Sequence, residues 1–346
     1  MGNGRAVVSW DQVRAWRDDL RNRQPPPTGL SVQGAHEAWH ASLASLDDEA
    51  LKTVADMGLA PWKRAAVVCA STVFTAPIEW CAVLLGRGSE VVLKVPSSWP
   101  QMARPLVEAA RAVGLPLHAT TDPTAMHSAS YVVAMGSDAS IADIRSTLSP
   151  EIQFEPHGHR FSAAWIGGAS LEDDALVPAD FSDPYGALAA DAALHDGRGC
   201  LSPLVLLTTD PDAADRLAEA LGRAEERWPR GEISDLEAAS IRTRGALATA
   251  TGTVRSGGGW SVHALPAQHW QPVALPRSLA VVHVENREHA AAVLAPFWSV
   301  LSTIGTDQPW PDAPRTCRLG RMQRPPLVRY HDGVDWLRTT AQPHRG

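Results

Sequence analysis

Residues 65–70, Ala-Ala-Val-Val-Cys-Ala, form a short apolar run bounded by turn residues. Similar runs follow at 90–93, 131–135 and 161–166. Apolar runs of this length are typical of strands that are buried on both faces of a sheet. Patterns typical of helices lie between these runs, at 78–85, 100–113 and 141–148. This alternation predicts a parallel, doubly wound α/β sheet.

The predicted pattern continues on both sides of this region. Before it, residues 9–23 have apolar positions at helical spacing, residues 24–29 break the helix, and a second helical stretch runs from about 31 to 57. After it, we expect strands at 204–208 and 279–284 and a hairpin-like turn at 257–259, where no helix follows to form a phosphate loop. The helices predicted there are 184–194, 213–227, 234–250 with Ser234 as N-cap, and 287–298.

Polar and glycine residues follow several of the predicted strands. Ser71 and Thr72 follow the first strand, residues 94–98 end the second, and Gly136 and Ser137 follow the run at 131–135. Ligands of doubly wound sheets bind beyond the carboxyl ends of the strands. We therefore expect these residues to lie on one rim of the sheet, where a ligand would bind.

Cys200 lies in the turn Asp-Gly-Arg-Gly-Cys-Leu-Ser-Pro, residues 196–203, directly before the strand at 204–208. Glycines on its amino side remove bulk, so a ligand can approach the sulfur closely. An exposed thiol near backbone N–H groups suits a cysteine nucleophile. A lone cysteine is more often a small buried core residue, so the other segments must decide between the two interpretations.

The composition narrows the class of protein. The 346 residues are enough for two domains or one large α/β unit, and 45% hydrophobic with 20% charged residues fits a globular protein. A net charge of −7 argues against a nucleic-acid binder. Four scattered cysteines without a CxxC pair indicate neither a disulfide framework nor a metal site. No signal peptide or membrane span is predicted, so we expect a cytoplasmic protein.

Several of these segments together resemble the aldehyde dehydrogenase superfamily. They are Val-Val-Leu-Lys at 91–94 with Pro-Ser-Ser at 96–98, Gly136-Ser137, and the glycine turn before Cys200. Within that superfamily, residues 131–138, 156–162, 197–203 and the tail Met-Gln-Arg-Pro-Pro-Leu at 322–327 are most similar to the acyl-CoA reductases. These include the fatty-acid reductase component of bacterial bioluminescence.

The resemblance implies an aldehyde dehydrogenase-like α/β fold in four parts. Residues 1–61 would be an N-terminal helical segment and residues 62–158 a doubly wound cofactor domain. Residues 159–318 would be an α/β catalytic domain that carries the cysteine, and residues 319–346 a C-terminal return segment.

The resemblance also implies the chemistry. Cys200 would attack an acyl thioester and expel CoA or a carrier thiol, and hydride from a reduced nicotinamide would convert the acyl-cysteine to an aldehyde. Lys94 would hold the adenosine ribose. Ser98 stands where many NAD-preferring relatives have a glutamate, so Ser97 and Ser98 favour the 2′-phosphate of NADPH, with NADH as the alternative. Gly136 and Ser137 would lie against the pyrophosphate, at the start of a helix beginning near Ser140.

Two positions depart from the pattern of aldehyde-oxidising relatives. The glutamate that activates water is replaced at Pro156, with Glu155 or His157 as substitutes, and this favours an enzyme that does not release acid. The oxyanion-binding asparagine is replaced by Ser71, with Thr72 beside it, a loss that commonly costs about a hundredfold in rate.

Three further groups of residues carry weaker expectations. Arg160 is a weaker candidate for a phosphate ligand. His195 and Asp191 are either a base and its orienter or a solvated pair on one helix. Residues 324–326 and 331–333 are expected to fix the return of the chain over the active site.

The leading hypothesis is thus an NADPH-dependent acyl-thioester reductase. The alternatives are an aldehyde dehydrogenase that forms acid or acyl-CoA, and a degenerate, non-catalytic subunit that binds a carrier or partner enzyme. Expected partners are an acyl-CoA or acyl-carrier substrate, an acyl-transfer enzyme and, as in many members of the superfamily, further copies of the chain. No nucleic acid is expected as a partner.

Overall fold

Two β-sheets organise the chain in the computed structural model, which describes residues 8–169, 176–310, 315–331 and 334–341. The first sheet has strand order β3-β2-β1-β4-β5, and every pairing in it is parallel. Its strands are β1 Arg64–Val68, β2 Glu90–Lys94, β3 Leu117–Thr120, β4 Tyr131–Met135 and β5 Gln153–His157. This is the doubly wound parallel sheet that the apolar runs predict.

The second sheet has strand order β12-β11-β6-β7-β10-β9-β8. Only the β8–β9 pairing is antiparallel among the described strands. The strands are β6 Phe161–Ile166, β7 Pro203–Thr208, β8 Thr253–Ser256, β9 Ser261–Ala264, β10 Ser278–His283, β11 Leu301–Thr306 and β12 Thr316–Arg318. The hairpin predicted at 257–259 is the turn that joins β8 to β9.

Eleven α-helices connect and cover the sheets within the described residues. They are α1 Trp10–Arg21, α2 Val32–Ala44, α3 Asp48–Asp56, α4 Pro77–Gly86, α5 Arg104–Ala112, α6 Asp138–Thr147, α7 Pro184–Ala193, α8 Ala213–Arg227, α9 Asp235–Thr251, α10 Arg287–Leu294 and α11 Trp336–Thr339. Ser234 caps α9 as predicted, in a reciprocal bond with Glu237.

The single helical stretch expected at 31–57 was wrong, because two helices occupy it. Helix α2 ends at Ala44, and the Asp47 carboxylate accepts a hydrogen bond from the Ala50 backbone N–H to start α3. A side-chain cap of this kind satisfies an N–H group at the start of a helix, and it fixes the break between the two helices.

Buried tryptophans link the N-terminal helices to each other and to α5, which packs on β3 of the first sheet. Trp16 donates from its indole Nε1 to the Leu106 carbonyl at 3.0 Å, and Trp39 donates to the Leu20 carbonyl at 2.9 Å. Both side chains are almost fully buried. A buried indole normally finds an acceptor for its N–H, so each tryptophan combines apolar packing with a directional contact between elements.

The C-terminal segment returns to the same region. Arg329 forms a two-point ion pair with Glu79 of α4, with both N–O distances at 2.8 Å. Trp336 of α11 lies 4.7 Å from Trp80 between ring centroids. Asp332 and Gly333, which belong to the expected return segment at 331–333, lie outside the described residues.

The register of the first sheet positions its loops. Val68 of β1 is level with Lys94 of β2 and with Ala134 of β4. The loops after these three strands therefore leave the same edge of the sheet. Strands β2 and β3 lie on one side of β1, and β4 and β5 lie on the other. This switch between β1 and β4 is the position at which doubly wound sheets form a ligand-binding crevice. In the part of the chain that the structure describes, no helix is both long and apolar enough to cross a membrane.

Candidate active site

Cys200 lies in a hydrogen-bonded turn directly before β7, and its side chain is exposed. The Ser202 backbone N–H donates to the Gly199 carbonyl at 2.9 Å, which closes the turn. The Gly199 N–H donates to the Ser202 hydroxyl oxygen at 3.2 Å, and Ser162 on β6 donates to the Cys200 carbonyl at 2.8 Å. The turn is therefore fixed to the sheet while the sulfur stays accessible.

A kink between α7 and this turn has a strained backbone. His195 and Asp196 both have φ of 53°, and Gly197 has φ of 71°. Left-handed backbone is unfavourable for residues other than glycine, so surrounding contacts must hold it. Asp196 supplies them, because its carboxylate pairs with the buried Arg277 guanidinium at 2.7 Å and the Arg277 backbone N–H donates to its carbonyl.

The loop after β1 packs against the cysteine turn. A Cβ added to Gly199 would lie 3.3 Å from the Val73 side chain, and the Thr75 hydroxyl lies 3.5 Å from Nε2 of His195. Ser71 and Thr72 are exposed on this same loop. The structure thus brings the loop that carries the two predicted oxyanion donors against the turn that carries Cys200.

His195 and Asp191 do not form a solvated pair, because both are buried. The Asp191 carboxylate accepts hydrogen bonds from the backbone N–H groups of Gly320, Met322 and Gln323. Burial raises the pKa of Asp191 to about 7, against the lowering effects of Arg324 and these donors. Asp191 anchors the C-terminal segment to α7, which gives it a structural role that the sequence pattern does not reveal.

Burial lowers the pKa of His195 to about 4, and the positive charge of Arg324 lowers it further. Its Nδ1 has no hydrogen-bond partner among the described residues. A neutral imidazole in contact with Thr75 therefore fills the space beneath the loop after β1.

Gln323 was not predicted as a site residue, yet it braces the cysteine turn directly. Its side-chain amide donates to the Ser202 hydroxyl at 2.6 Å and to the Asp191 carbonyl at 3.4 Å. It follows Met322 in the tail motif that carries the family resemblance, and this was the only signal for it in the sequence.

Arg315 and Cys317 also lie near the nucleophile and were not predicted. Burial lowers the pKa of the Arg315 guanidinium, while the charges of Cys317, Asp191 and Cys200 act to raise it. Burial raises the pKa of the Cys317 thiol to about 11, against the effect of Arg315. The Arg315 charge therefore only offsets part of the effect of burial on the Cys317 thiol.

The predicted cofactor residues lie on the shared edge of the first sheet. Lys94 ends β2 and is half-buried, whereas Ser97 and Ser98 in the loop that follows are exposed. Burial raises the pKa of Cys69 to about 12, and the charge of Lys94 acts against this rise, which places that charge beside the end of β1.

Gly136 and Ser137 lie on the other side of the crevice. Ser137 is the N-cap of α6, and its hydroxyl oxygen accepts from the Ser140 N–H at 3.2 Å. The helix thus begins at Asp138, two residues earlier than predicted. The Asp138 carboxylate lies in the first turn of α6 and accepts a hydrogen bond from the His159 N–H at 2.8 Å. This negative charge opposes an anion at the same helix terminus.

Glu155 and His157, the suggested substitutes for the missing base, are held on β5. The Tyr131 hydroxyl donates to Glu155 at 2.6 Å, and Nε2 of His157 lies 3.3 Å from the other carboxylate oxygen. Burial alone would raise the pKa of Glu155, but hydrogen bonds from His157 and Tyr131 outweigh it and lower the pKa. The His157 ring also packs on Trp80, at 5.1 Å between centroids. These contacts join β5 to α4.

Pro156 lies between them on β5, and Arg160 donates to the Ser299 carbonyl at 2.6 Å. Among the described residues, no group of three or more His, Cys, Asp or Glu side chains could hold a metal ion.

Comparison with known proteins agrees with this architecture. A family model described as acyl-CoA reductase (LuxC) matches residues 115–340. Among curated protein sequences, no match is found.

Solved aldehyde dehydrogenases share the fold at low sequence identity. A γ-glutamyl-γ-aminobutyraldehyde dehydrogenase from Burkholderia cenocepacia is 15% identical with a TM-score of 0.64, covering 90% of this chain and 74% of that one. A 1-pyrroline-5-carboxylate dehydrogenase from Thermus with bound NAD is 13% identical with a TM-score of 0.63, covering 96% and 80%. An NAD-dependent benzaldehyde dehydrogenase from Corynebacterium glutamicum is 13% identical with a TM-score of 0.61, covering 92% and 81%. The aldehyde dehydrogenase fold is therefore confirmed.

Proposed function

The chain belongs to the acyl-CoA reductase (LuxC) family, and from this premise we propose that it reduces an acyl thioester to the aldehyde through an acyl group carried on Cys200. The observation that carries the proposal is the exposed thiol on a turn whose backbone is fixed by Ser162 and Ser202. A nucleophile needs both access and a fixed position, and this turn has both.

The first half-reaction transfers the acyl group. The Cys200 thiolate attacks the thioester carbonyl carbon, a new C–S bond forms, and the carrier thiolate leaves and takes a proton. The carbonyl oxygen carries negative charge during this step. The hydroxyls of Ser71 and Thr72, on the loop that packs against the cysteine turn, would donate to it.

The second half-reaction is a two-electron reduction of the acyl-cysteine. A reduced nicotinamide, when bound, supplies the hydride. The acyl carbon accepts it to give a hemithioacetal on Cys200, whose C–S bond then breaks to release the aldehyde and regenerate the thiol after protonation. The outcome depends on keeping water away from the acyl-cysteine, which is itself a thioester.

The residues on the rim of the first sheet fit a nicotinamide dinucleotide. The crevice between β1 and β4 is the position where doubly wound sheets bind nucleotides. Lys94 is a donor for ribose hydroxyls, and the exposed Ser97 and Ser98 leave the next loop without a carboxylate that would repel a 2′-phosphate. Gly136 allows the chain to pass close to the pyrophosphate, although Asp138 weakens the contribution of the helix terminus.

Position 156 is a proline, so the glutamate that would activate water is absent there. This absence favours reduction over oxidation to an acid. Glu155 and His157 are engaged with each other and with Tyr131, so neither is oriented as a water-activating base. An aldehyde dehydrogenase that forms acid is therefore the weaker alternative. Acyl-CoA formation is the same reaction in reverse, and its direction depends on the supply of substrates.

Intact-protein mass spectrometry tests the covalent step. The protein is mixed with acyl-CoAs of increasing chain length, and NADPH is added afterwards. We expect a mass increase equal to the acyl group in the wild type and in Cys317→Ala, none in Cys200→Ala, and release of the adduct as aldehyde on addition of NADPH. Cys317→Ala is the matched control because its thiol lies near the same arginine.

Other outcomes would separate the alternatives. An adduct that decays to acid without NADPH would indicate hydrolysis. Acylation retained in Cys200→Ala would contradict the assigned nucleophile. No adduct with any donor would favour a non-catalytic subunit that binds a carrier or partner enzyme, consistent with serine in place of the oxyanion asparagine at position 71.

Cofactor choice is tested at position 98. We expect the wild type to use NADPH with a lower KM than NADH, and Ser98→Glu to raise the KM for NADPH at least tenfold through repulsion of the 2′-phosphate. The KM for NADH should change little or fall. Equal effects on both cofactors would contradict a role for this position in recognising the phosphate.

A further inference from the structure

Three backbone N–H groups of the C-terminal segment converge on the buried carboxylate of Asp191. Its Oδ2 accepts from the Gly320 N–H at 2.6 Å, and its Oδ1 accepts from the Met322 N–H at 3.1 Å and from the Gln323 N–H at 3.4 Å. The donors lie in one turn of the chain, residues 320–323, where Gly320 has a left-handed backbone with φ of 83°. The Asp191 carboxylate therefore attaches this turn to α7.

The same turn places the Gln323 side chain against the turn of Cys200. The Gln323 amide donates to the Ser202 hydroxyl at 2.6 Å, and that hydroxyl accepts from the Gly199 N–H at 3.2 Å. The Gln323 amide oxygen lies 3.8 Å from a Cβ added to Gly199, the residue before Cys200. Asp191 thus holds the backbone of Gln323, whose side chain in turn holds the turn that carries the thiol.

Several charged and titratable groups lie near the Asp191 carboxylate. The charge of Arg324 acts to lower the pKa of Asp191, and the Arg324 guanidinium is paired with Glu37 of α2 at 2.6 Å. Arg315, directly before β12, and Cys317, on β12, interact with the same carboxylate charge. The two arginines carry their positive charge at every pH near neutrality.

Among the buried groups here, Asp191 changes its charge near neutral pH. Burial raises the pKa of Asp191 to about 7, against the lowering effects of Arg324 and the backbone donors. Burial also raises the pKa of the Cys317 thiol to about 11 and lowers that of His195, four residues after Asp191, to about 4. Near pH 7 the thiol and the imidazole therefore stay neutral while the carboxyl gains or loses its proton.

Protonation of Asp191 weakens its hold on the turn at 320–323. Hydrogen bonds to an ionised carboxylate are roughly twice as strong as bonds between neutral groups. A protonated carboxyl also carries an O–H on one oxygen, which competes with the N–H donors directed at that oxygen. Since both oxygens of Asp191 accept backbone N–H groups, a proton on either one weakens at least one of these bonds.

We propose that ionised Asp191 is a positioning residue for the acylation of Cys200, and that protonation of its carboxyl slows acylation by releasing Gln323 from Ser202. The inference rests on the proposed function and adds a dependence on pH to the same site. Asp191 takes no part in making or breaking bonds. It acts through the turn at 320–323, the Gln323 amide and the Ser202 hydroxyl.

The test compares two reactions of Cys200 in the same protein. Alkylation by iodoacetamide, a small reagent, requires the thiolate, whereas acylation by an acyl-CoA also requires a fixed position of the sulfur. The ratio of the limiting acylation rate to the alkylation rate therefore cancels the ionisation of the thiol. Peptide mass spectrometry measures it from about pH 5.5 to about pH 8.5.

Three variants are compared with the wild type. Asp191→Asn removes the titration, and Gln323→Met removes the link to Ser202 without changing Asp191. Asp183→Asn is the matched control, because the Asp183 carboxylate also accepts two backbone N–H groups of α7, but at the opposite end of the helix.

We expect the wild-type ratio to fall by about tenfold or more from pH 8.5 to pH 5.5, because loss of position slows acylation and leaves alkylation unchanged. Asp183→Asn should match the wild type. In Asp191→Asn and in Gln323→Met the ratio should be low at every pH. A wild-type ratio that does not change with pH would overturn the proposal, as would a wild-type pH dependence in either of these two variants.

Hydrogen exchange separates failure of this proposal from failure of the proposed function, because it requires no acyl donor. After correction for intrinsic exchange rates, the N–H groups of Gly320, Met322 and Gln323 should be about tenfold less protected at pH 5.5 than at pH 8.5 in the wild type. In Asp191→Asn the protection should be equally weak at both. If no donor acylates the wild type, the release of the turn stands on this result alone, and equal wild-type protection at both pH values overturns it.

Discussion

At the scale of single residues, the cysteine turn depends on one hydroxyl. The Ser202 oxygen is buried and accepts hydrogen bonds from the Gly199 N–H and from the Gln323 side chain. Removing this acceptor leaves the Gly199 N–H without its partner and leaves the Gln323 amide with only its 3.4 Å contact to the Asp191 carbonyl. The position of Cys200 therefore depends on Ser202 and on the C-terminal segment that carries Gln323.

Ser202→Ala should lower the free energy of unfolding by about 1 to 3 kcal/mol, because buried donors lose their acceptor. It should also slow the acylation of Cys200, because the turn that positions the sulfur is loosened. Urea unfolding and acylation kinetics check both effects. Ser146→Ala, at an exposed serine of α6, is the control and should change stability by less than about 0.5 kcal/mol. Wild-type stability and acylation in Ser202→Ala would contradict the argument.

The exposed position of Cys200 before β7 could be predicted because a glycine turn before a strand is a local pattern, and its role as the nucleophile remains a prediction. Gln323 and Arg315 could not be predicted in this way, since they meet the turn only after the chain returns more than a hundred residues later. Asp191 shows the same limit. Its spacing from His195 suggests a pair on one helix, whereas its partners are backbone N–H groups at 320, 322 and 323.

At the scale of elements, the apolar runs were sufficient for the central strands. The predicted bounds of β4 and β6 match the structure, because these strands are apolar and bounded by turn residues. The sequence did not indicate β3 or β5, whose residues are mixed in polarity and which lie at the edges of the first sheet. A strand paired on one side needs less apolar surface, so its sequence pattern is weaker.

Strand β11 was missed for a different reason. It is buried at every position, yet half of its residues are serine or threonine. Their hydroxyls have acceptors: Thr303 donates to the Arg315 carbonyl and Thr306 to the Gln308 carbonyl. Hydrogen bonding makes burial of these residues acceptable, but the composition of the strand does not show that its hydroxyls have acceptors in the fold.

The packing of α1 on α4 leads to a prediction at one glycine. Gly86 is the last residue of α4, and a Cβ added there would lie 2.4 Å from the Trp10 ring. Alanine normally stabilises a helix relative to glycine by about 0.5 to 1 kcal/mol. Here we expect Gly86→Ala to destabilise the protein by about 1 to 3 kcal/mol, because the half-buried Trp10 ring must move.

Gly222→Ala is the matched control for that substitution. Gly222 lies within α8, and no atom lies within 4 Å of an added Cβ. This variant should gain about 0.5 to 1 kcal/mol from helix propensity. Thermal and urea unfolding of both variants measure the difference, and equal effects of the two substitutions would show that α1 does not pack on α4 as described.

At the scale of the whole molecule, the candidate site is assembled from three distant parts of the chain. The loop at 71–75, the turn at 199–202 and the segment at 315–324 meet around one thiol. The loop at 71–75 follows β1 of the first sheet, whereas the segment at 315–324 contains β12 of the second sheet and the residues after it. The site therefore exists only when the complete fold forms. The fourfold division of the chain into domains, the cytoplasmic location and self-association remain predictions.

Two buried histidines contribute to the acid stability of the whole fold. Burial lowers the pKa of His195 to about 4, with Arg324 adding to the effect, and lowers that of His263 to about 4, with Arg244 adding to it. Below pH 6.5 the unfolded chain binds a proton at each histidine that the folded chain does not bind until about pH 4. Each histidine therefore removes stability as the pH falls through this window, by up to about 1.4 kcal/mol per pH unit.

Asp191 acts in the opposite direction in the same range. Its folded pKa of about 7 lies above the unfolded value of 3.8, so it costs stability as the pH rises from about 4 to 7. The pH profile of the wild type is thus a difference between opposing contributions, and its slope alone cannot be assigned to the histidines.

A variant comparison isolates the histidine contribution, because Asp191 acts equally in both proteins. His263→Gln cannot bind the proton, so its unfolding free energy should fall less steeply than that of the wild type between pH 6.5 and 4.5, by about 1 kcal/mol per pH unit. Urea unfolding at half-unit intervals of pH measures both slopes. His127→Gln, at an exposed histidine, is the control and should keep the wild-type slope. A wild-type slope in His263→Gln would contradict the argument. It would mean that His263 is protonated near its ordinary pKa in the folded protein, although the side chain is buried on β9.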